Sequence, residues 1–208
     1  GSINPDELWD AGENLAARSP DDRQIWTPME WMQGTTDINS FSTQNVQTLM
    51  RGVYERTSTP VTQAQAEQLI RFVRGDDAFD EDRDGDVSDT RWKLGDLYHS
   101  APIVVGNPSL PTTSDPSFSD QAAYFRYVNG YGAFTTTTRT EVVYVGGNDG
   151  MLHAFDASSG EELWAFIPPM LLNKLTGLLG NVANTSSSIY GVDVSPTVAD
   201  VLIDGQWR

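Results

Sequence analysis

The stretch Tyr144-Val145-Gly146-Gly147-Asn148-Asp149-Gly150-Met151-Leu152-His153-Ala154-Phe155-Asp156-Ala157-Ser158-Ser159-Gly160-Glu161-Glu162-Leu163-Trp164 decides the fold. Apolar and β-branched residues over 141–146, 151–156 and 162–167 are separated by Asn148-Asp149-Gly150 and Ser158-Ser159-Gly160, residues that favour tight connections. Three strands joined by such short turns form an antiparallel meander. Pro102-Ile103-Val104-Val105-Gly106 reads as a further strand ahead of it.

Ala154 to Trp164 also matches the A-x-D-x-x-x-G-x-x-x-W pattern of quinoprotein-type propeller blades. In that pattern Asp156 caps the turn, Gly160 takes a positive φ, and the Trp164 ring packs between neighbouring blades. Ser100-Ala101-Pro102-Ile103-Val104-Val105 is echoed by Ser195-Pro196-Thr197-Val198-Ala199-Asp200, as expected for the inner strands of successive blades. Pro102 and Pro196 stand 94 positions apart, against roughly 40–50 residues for a propeller repeat. The blade therefore carries insertions, placed at 107–139, rich in Ser, Thr and Pro, and at 168–190, with a helical stretch around Met170 to Leu179.

The expected fold is mainly β, a β-propeller with quinoprotein-like blades, incomplete in this chain and preceded by a short helical segment. Residues 97–208 make its first blade and the start of the second, with a new strand beginning near Ser195. A propeller needs at least about four blades to remove its open edges. The remainder is expected from other sequence, whether continuous with this one or a separate chain, and the chain reads as a fragment or one piece of a nicked domain.

Residues 1–75 read as a helical lead-in that packs on the propeller. Leu8, Ala11, Leu15 and Ala16 share one side of a first segment from Asp6, Thr43 to Arg56 form a second, and Thr62 to Val73 a third. Pro60 stands before the third and Gly75 offers its stop.

Residues 76–96 concentrate nine carboxylates, Asp76, Asp77, Asp80, Glu81, Asp82, Asp84, Asp86, Asp89 and Asp96, against Arg83, Arg91 and Lys93. No packed element buries so many unpaired charges, so the stretch is a solvated loop or an ion site. It aligns with a helix-hand calcium loop when Asp80, Asp82 and Asp84 take positions one, three and five, Gly85 six, Asp86 seven and Ser88 nine. Ca²⁺ takes roughly six to eight oxygens, and alternate Asp residues with a Gly turn wrap the chain around one point. Position twelve is Arg91 where a bidentate Glu belongs, so Asp89, Asp96 or water must complete the ring. The candidate metal ligands are Asp80, Asp82, Asp84, Asp86 and Asp89, for Ca²⁺.

Charge narrows the partners. The 208 residues hold 13 Lys+Arg against 29 Asp+Glu, a formal charge of −16, with no basic cluster. Such a surface repels phosphate backbones and anionic lipid heads, which argues against nucleic acid. No apolar run approaches the roughly 18–20 residues that span a bilayer, and membrane insertion is not expected. The absence of cysteine rules out disulfides, thiolate zinc sites and thiol catalysis.

No catalytic constellation stands out: there is no G-x-S-x-G elbow, no phosphate-binding Gly-rich loop before Lys-Ser or Lys-Thr, and no H-E-x-x-H. The chain is read as non-enzymatic. Its two histidines, His99 and His153, lie beside strand sequence and read as satisfied structural residues. Arg74-Gly75-Asp76 is an integrin-type tripeptide, but Gly75 already has a local reason as a helix stop.

Phe72-Val73-Arg74-Gly75-Asp76, Leu94-Gly95-Asp96-Leu97-Tyr98-His99-Ser100-Ala101-Pro102 and the segment Tyr144 to Asp156 together resemble the PilC/PilY family of type IV pilus tip-associated proteins. Tyr190-Gly191-Val192-Asp193-Val194-Ser195-Pro196-Thr197-Val198-Ala199-Asp200 and Gly205-Gln206-Trp207-Arg208 continue the resemblance in the same order. It implies the beginning of a C-terminal β-propeller in a protein at the pilus tip, on the surface of a Gram-negative bacterium. Such a protein joins minor pilins and promotes pilus assembly, adhesion to host or abiotic surfaces and twitching. Calcium binding by an acidic propeller loop is implied as well, and falls on Asp80, Asp82, Asp84 and Asp86.

Two other classes share the blade pattern. A pyrroloquinoline quinone dehydrogenase would carry the cofactor in its central channel, often stacked on a vicinal disulfide that a chain without Cys cannot form. An outer-membrane scaffold propeller would need neither the helical lead-in nor the Asp-rich loop.

Overall fold

The computed structural model describes residues 9–28, 40–54, 61–108, 121–178 and 190–208. Asp6 and Leu8 of the first expected helix, Arg56 of the second, and 109–120 and 179–189 of the two insertions lie outside them.

The lead-in is helical where the apolar spacing indicates. The first helix, α1 (Ala11–Ala17), begins at Asp10, whose carboxylate accepts the Glu13 N–H at 3.0 Å. The second, α2 (Val46–Tyr54), continues from a 3-10 turn at Thr43–Asn45. Thr62 caps α3 (Gln63–Arg74) with a capping box: its hydroxyl accepts from the Gln65 N–H, and the Gln65 side chain accepts from the Thr62 N–H. Ala66, Leu69, Ile70 and Val73 then fall on one buried stripe, and Gly75 ends the helix at φ 122°.

Five strands form one sheet: β1 (Ile25–Trp26), β2 (Ile103–Val105), β3 (Val142–Gly146), β4 (Leu152–Asp156) and β5 (Glu162–Phe166), in the order β1-β5-β4-β3-β2. The meander from β2 to β5 is antiparallel throughout, as the two tight turns require for β3, β4 and β5. Nothing in the two residues of β1 announces a strand, yet it adds to the sheet parallel to β5. The sheet is open, and β2 has no partner on its outer side among the described residues.

One expectation needs correction. Residues 195–201 form no strand; the only pairing there is a short hairpin of β6 (Leu202–Ile203) and β7 (Gln206–Trp207). A strand exists through its ladder, and among the described residues only Val201 finds one, with Arg208 at the base of this hairpin. The insertion at 107–139, rich in Ser, Thr and Pro, holds two helices, α4 (Gln121–Val128) and α5 (Tyr131–Phe134). Trp207 docks on them, 4.7 Å from the Tyr131 ring and stacked on Phe134, with its indole N–H on the Asn129 carbonyl. The fold is therefore mixed, helices and an open five-stranded sheet together.

The main core lies between the lead-in and the outer margin of the sheet. Leu49 and Val53 of α2, Leu69, Ile70 and Phe72 of α3, Ala165 and Ile167 by β5, and Ile25 and Phe41 bury together. A long 3-10 stretch, Pro169–Leu178, closes this layer through Leu171, Leu172, Leu175 and Leu178. The apolar stripe of the lead-in thus covers the sheet margin that a free meander would expose.

Candidate functional site

The acidic loop begins where α3 stops. Its two arms are tied by an isolated bridge between Asp76 and Thr90, with the Asp77 N–H on the Asp89 carbonyl and the Arg91 N–H on the Gly75 carbonyl, each at 3.0 Å. Between the arms the chain coils through left-handed residues Asp80 (φ 51°), Arg83 (φ 63°) and Gly85 (φ 88°). Each carboxylate holds a nearby N–H: Asp80 that of Gly85, Asp82 that of Asp84, Asp84 that of Asp86, and Asp86 that of Ser88. This is the coil that the alternating Asp pattern predicts.

Two carboxylate triplets converge there, Asp80–Asp82–Asp84 and Asp77–Asp82–Asp89, each with one ligand oxygen per residue within 4.8 Å of the others. Four of the five sequence candidates, Asp80, Asp82, Asp84 and Asp89, are brought together. Asp86 stands outside both triplets, its Oδ1 taken by the Ser88 N–H and hydroxyl. Asp77, one of the nine carboxylates but not a predicted ligand, is buried and joins through Asp82 and Asp89. Arg91 at position twelve turns away to Glu81 at 3.0 Å and lies 4.1 Å over the Phe72 ring.

The donor set suits a hard cation. All five converging side chains offer carboxylate oxygen, and Asp89 Oδ1 is buried with no hydrogen-bond partner. Partial burial and the charges of Asp84, Asp82, Asp77 and Asp86 push the Asp89 carboxyl above its usual range. A divalent cation would relieve both its missing partner and that repulsion.

Arg74-Gly75-Asp76 is committed elsewhere. The Arg74 guanidinium is buried and donates to the carbonyls of Phe41, Pro20, Asp21 and Arg23. Asp76 pairs with Arg71 at 3.0 Å. The tripeptide is a structural corner.

A second charged cluster is absent from the sequence reading. Arg23, Glu162, His153 and Asp149 form a buried row, with Arg23 gripping Glu162 through two bonds of 2.8 and 2.9 Å. His153 bridges Glu162 (Nδ1, 2.9 Å) and Asp149 (Nε2, 3.0 Å). Burial alone would lower the imidazole pKa, but the two carboxylates more than reverse this and raise it to about 9. His153 is thus the satisfied structural histidine expected. The signal that could have found the row was the isolated Arg23 in a segment with a two-residue strand, which is too weak to read.

Asp149 also organises the Gly146-Gly147-Asn148-Asp149-Gly150 turn. It accepts the Gly95 N–H at 3.0 Å and the Met151 N–H at 3.0 Å, while the Asn148 N–H bonds the Asp96 carbonyl. Val192 seats on the same turn, its N–H on the Gly147 carbonyl at 3.1 Å. A Cβ on Gly146 would run into the Val192 carbonyl oxygen, which is backbone. Gly146→Ala is therefore expected to lower stability by about 1–3 kcal/mol, the range for overpacking, read by urea denaturation.

In the blade motif, Asp156 caps its turn through the N–H groups of Ser158 and Ser159, and Gly160 has φ 73°. The ring over Gly160 is that of Trp9, whose indole N–H bonds the Ala157 carbonyl at 2.9 Å. Trp164 lies 5.7 Å from Tyr144 across the small Ala154.

Most distinctive is the docking of the second Ser-Pro segment on the first. His99 bonds Asp193 through its N–H and its ring, the Ser100 hydroxyl meets the Val194 carbonyl, and the Ala101 N–H donates to Ser195 Oγ. Every pair is separated by 94 positions, as Pro102 and Pro196 are. The two segments therefore run side by side in parallel.

No family model and no solved structure matches the chain. Among curated proteins it is 33% identical, over all of its length, to the type IV pilus biogenesis factor PilY1 of Pseudomonas aeruginosa strain UCBPP-PA14. It is 35% identical over 69% of its length to a PilY1 homolog of Xylella fastidiosa. The chain spans 17% of the first relative and 11% of the second. An identity of one residue in three, sustained from end to end, places this chain in the PilC/PilY family of type IV pilus proteins.

Proposed function

We propose that the chain is the opening part of a β-propeller in a type IV pilus biogenesis factor, working at the pilus tip on the cell surface. It acts by binding and assembly rather than by catalysis, joining minor pilins and supporting adhesion and twitching. The observation that carries the propeller is the constant offset of 94 between the docked Ser-Pro segments. In a propeller the segments entering the inner strands of successive blades stand in parallel around an axis, which is how these two segments lie. The second segment also leaves Tyr190 and Val194 exposed, at 81% and 75%. These are apolar side chains for which a following blade would be the cover.

A strain whose pilus biogenesis factor lacks these 208 residues tests the role. Surface pili and twitching are expected to fall sharply and to return with the complete gene; undiminished piliation would refute the reading.

In the same reading the acidic loop holds Ca²⁺ through Asp77, Asp80, Asp82, Asp84 and Asp89, and Asp86 turns the coil through Ser88. The bound ion would supply charge neutralisation, fixing the two arms of the loop beneath α3. Adding Ca²⁺ at about 100 times its Kd is expected to stabilise the fold by about 2.7 kcal/mol, seen as a rise in melting temperature. The pair Asp82→Ala with Asp84→Ala should abolish that rise. A melting temperature indifferent to Ca²⁺ in the unaltered chain would remove the metal.

A further inference from the structure

The Arg23–Glu162–His153–Asp149 row joins parts of the molecule that are distant in sequence. Arg23 comes from the lead-in beside β1, Glu162 from β5, His153 from β4, and Asp149 from the turn that seats Gly95. Both nitrogens of the His153 ring face carboxylate oxygens, at 2.9 and 3.0 Å. An ionised carboxylate only accepts, so each nitrogen must bring its own proton. Each carboxylate is also surrounded by donors: Glu162 by the Arg23 guanidinium, Asp149 by the N–H groups of Gly95 and Met151. The geometry admits the imidazolium and opposes either neutral tautomer, which would aim a lone pair at a carboxylate.

We infer that His153 is a proton-operated latch: its second proton clamps the Arg23–Glu162 pair to the Asp149 turn, and loss of that proton frees the pair, together with the lead-in segment 19–26 that Arg23 ties to it, from that turn. Charge balance says which bond opens. Glu162 has Arg23 as its own counter-ion, whereas among the described residues the imidazolium is the cation that hydrogen-bonds Asp149. The proton retained is the one on Nε2, facing Asp149. The proton lost is on Nδ1, and its lone pair then repels Glu162. The charged groups surrounding the ring are Asp149 from the turn, Glu162 from β5 and Arg23 from the lead-in. Behind them stand Arg74 of α3, whose carbonyl accepts from Arg23, and Lys93, which feels both Arg23 and Glu162. Phe155 stacks on the ring at 5.6 Å. The latch is buried, so it responds to solvent pH only through opening of the joint it controls.

The test is made on the 208-residue chain. Nitrogen spectra of its imidazoles should show both ring nitrogens of His153 protonated at pH 7.5. Amide exchange over 19–26, corrected for its intrinsic pH dependence, should accelerate more than that over β3 once the ring loses a proton. Asp149→Asn removes the uncompensated charge, and the titration midpoint is expected to fall by about 1–3 pH units. In His153→Gln the extra acceleration over 19–26 should vanish. A single neutral tautomer at pH 7.5 overturns the latch, as does titration that leaves exchange over 19–26 unchanged. If either variant fails to fold, the ring spectra and exchange profile of the unaltered chain decide alone.

Discussion

Glu162→Gln is expected to cost about 3–5 kcal/mol of folding stability, the loss typical of removing one member of a buried ion pair. The glutamate is the middle of the row, taking two bonds from Arg23 and one from His153, with no side-chain exposure. An amide keeps the volume but removes the charge that offsets the desolvation of both cations. Urea denaturation of the two proteins measures the difference, and a loss under about 1 kcal/mol, the value of a surface pair, would show that the row is solvated in solution.

The same substitution alters the acid limb of the stability profile. Burial, the largest influence on Glu162, would raise its pKa, but the bonds from Arg23 and His153 hold it down to about 2. Its contribution is therefore complete above its ordinary 4.5 and lost as pH falls through about 2. His153 works in the opposite sense: its pKa is raised, so its contribution is complete below 6.5 and lost as pH rises through about 9. Glu162→Gln should flatten the first limb.

Arg74→Met is the second large effect, about 3 kcal/mol or more. Arg74 closes α3 and inserts its guanidinium among the carbonyls of Phe41, Pro20 and Arg23, all buried bonds. Each buried acceptor left without a donor costs about 1–3 kcal/mol. Methionine fills the space of the aliphatic stem and restores none of the donors. Denaturation midpoints with and without Ca²⁺ give the loss of stability and, separately, any loss of cation response. Arg74→Lys should recover little, because one ammonium cannot replace a planar fork that reaches several carbonyls. A Met variant as stable as the parent would show that water satisfies these carbonyls.

The helices and the meander were legible because each is written in local terms. The Thr62–Gln65 capping box, the stripe from Ala66 to Val73 and the Gly75 stop lie within one short window. The Asn148-Asp149-Gly150 and Ser158-Ser159-Gly160 turns likewise fix the antiparallel order of β3, β4 and β5. The acidic loop was legible for the same reason, since Asp80, Asp82, Asp84 and Gly85 coil a short chain on itself. Asp77 was not, because it reaches the cluster across the bridge between the arms.

The buried row depended on a detail that alternation conceals. Strict period-two pairing would put Glu162 on the face of Ala154 and Trp164. A bulge in β5 instead pairs Phe155 with Glu162 while Ala154 stays opposite Trp164, and this turns Glu162 to the face of His153. Sequence by itself determined the meander, the helices, the coil of the acidic loop and the family, because periodicity, caps and turn residues act over a few neighbours. Only the tertiary structure decided that Arg23 completes the row, that β1 extends the sheet and that the Ser-Pro segments dock in parallel, because each requires residues far apart in the chain to meet.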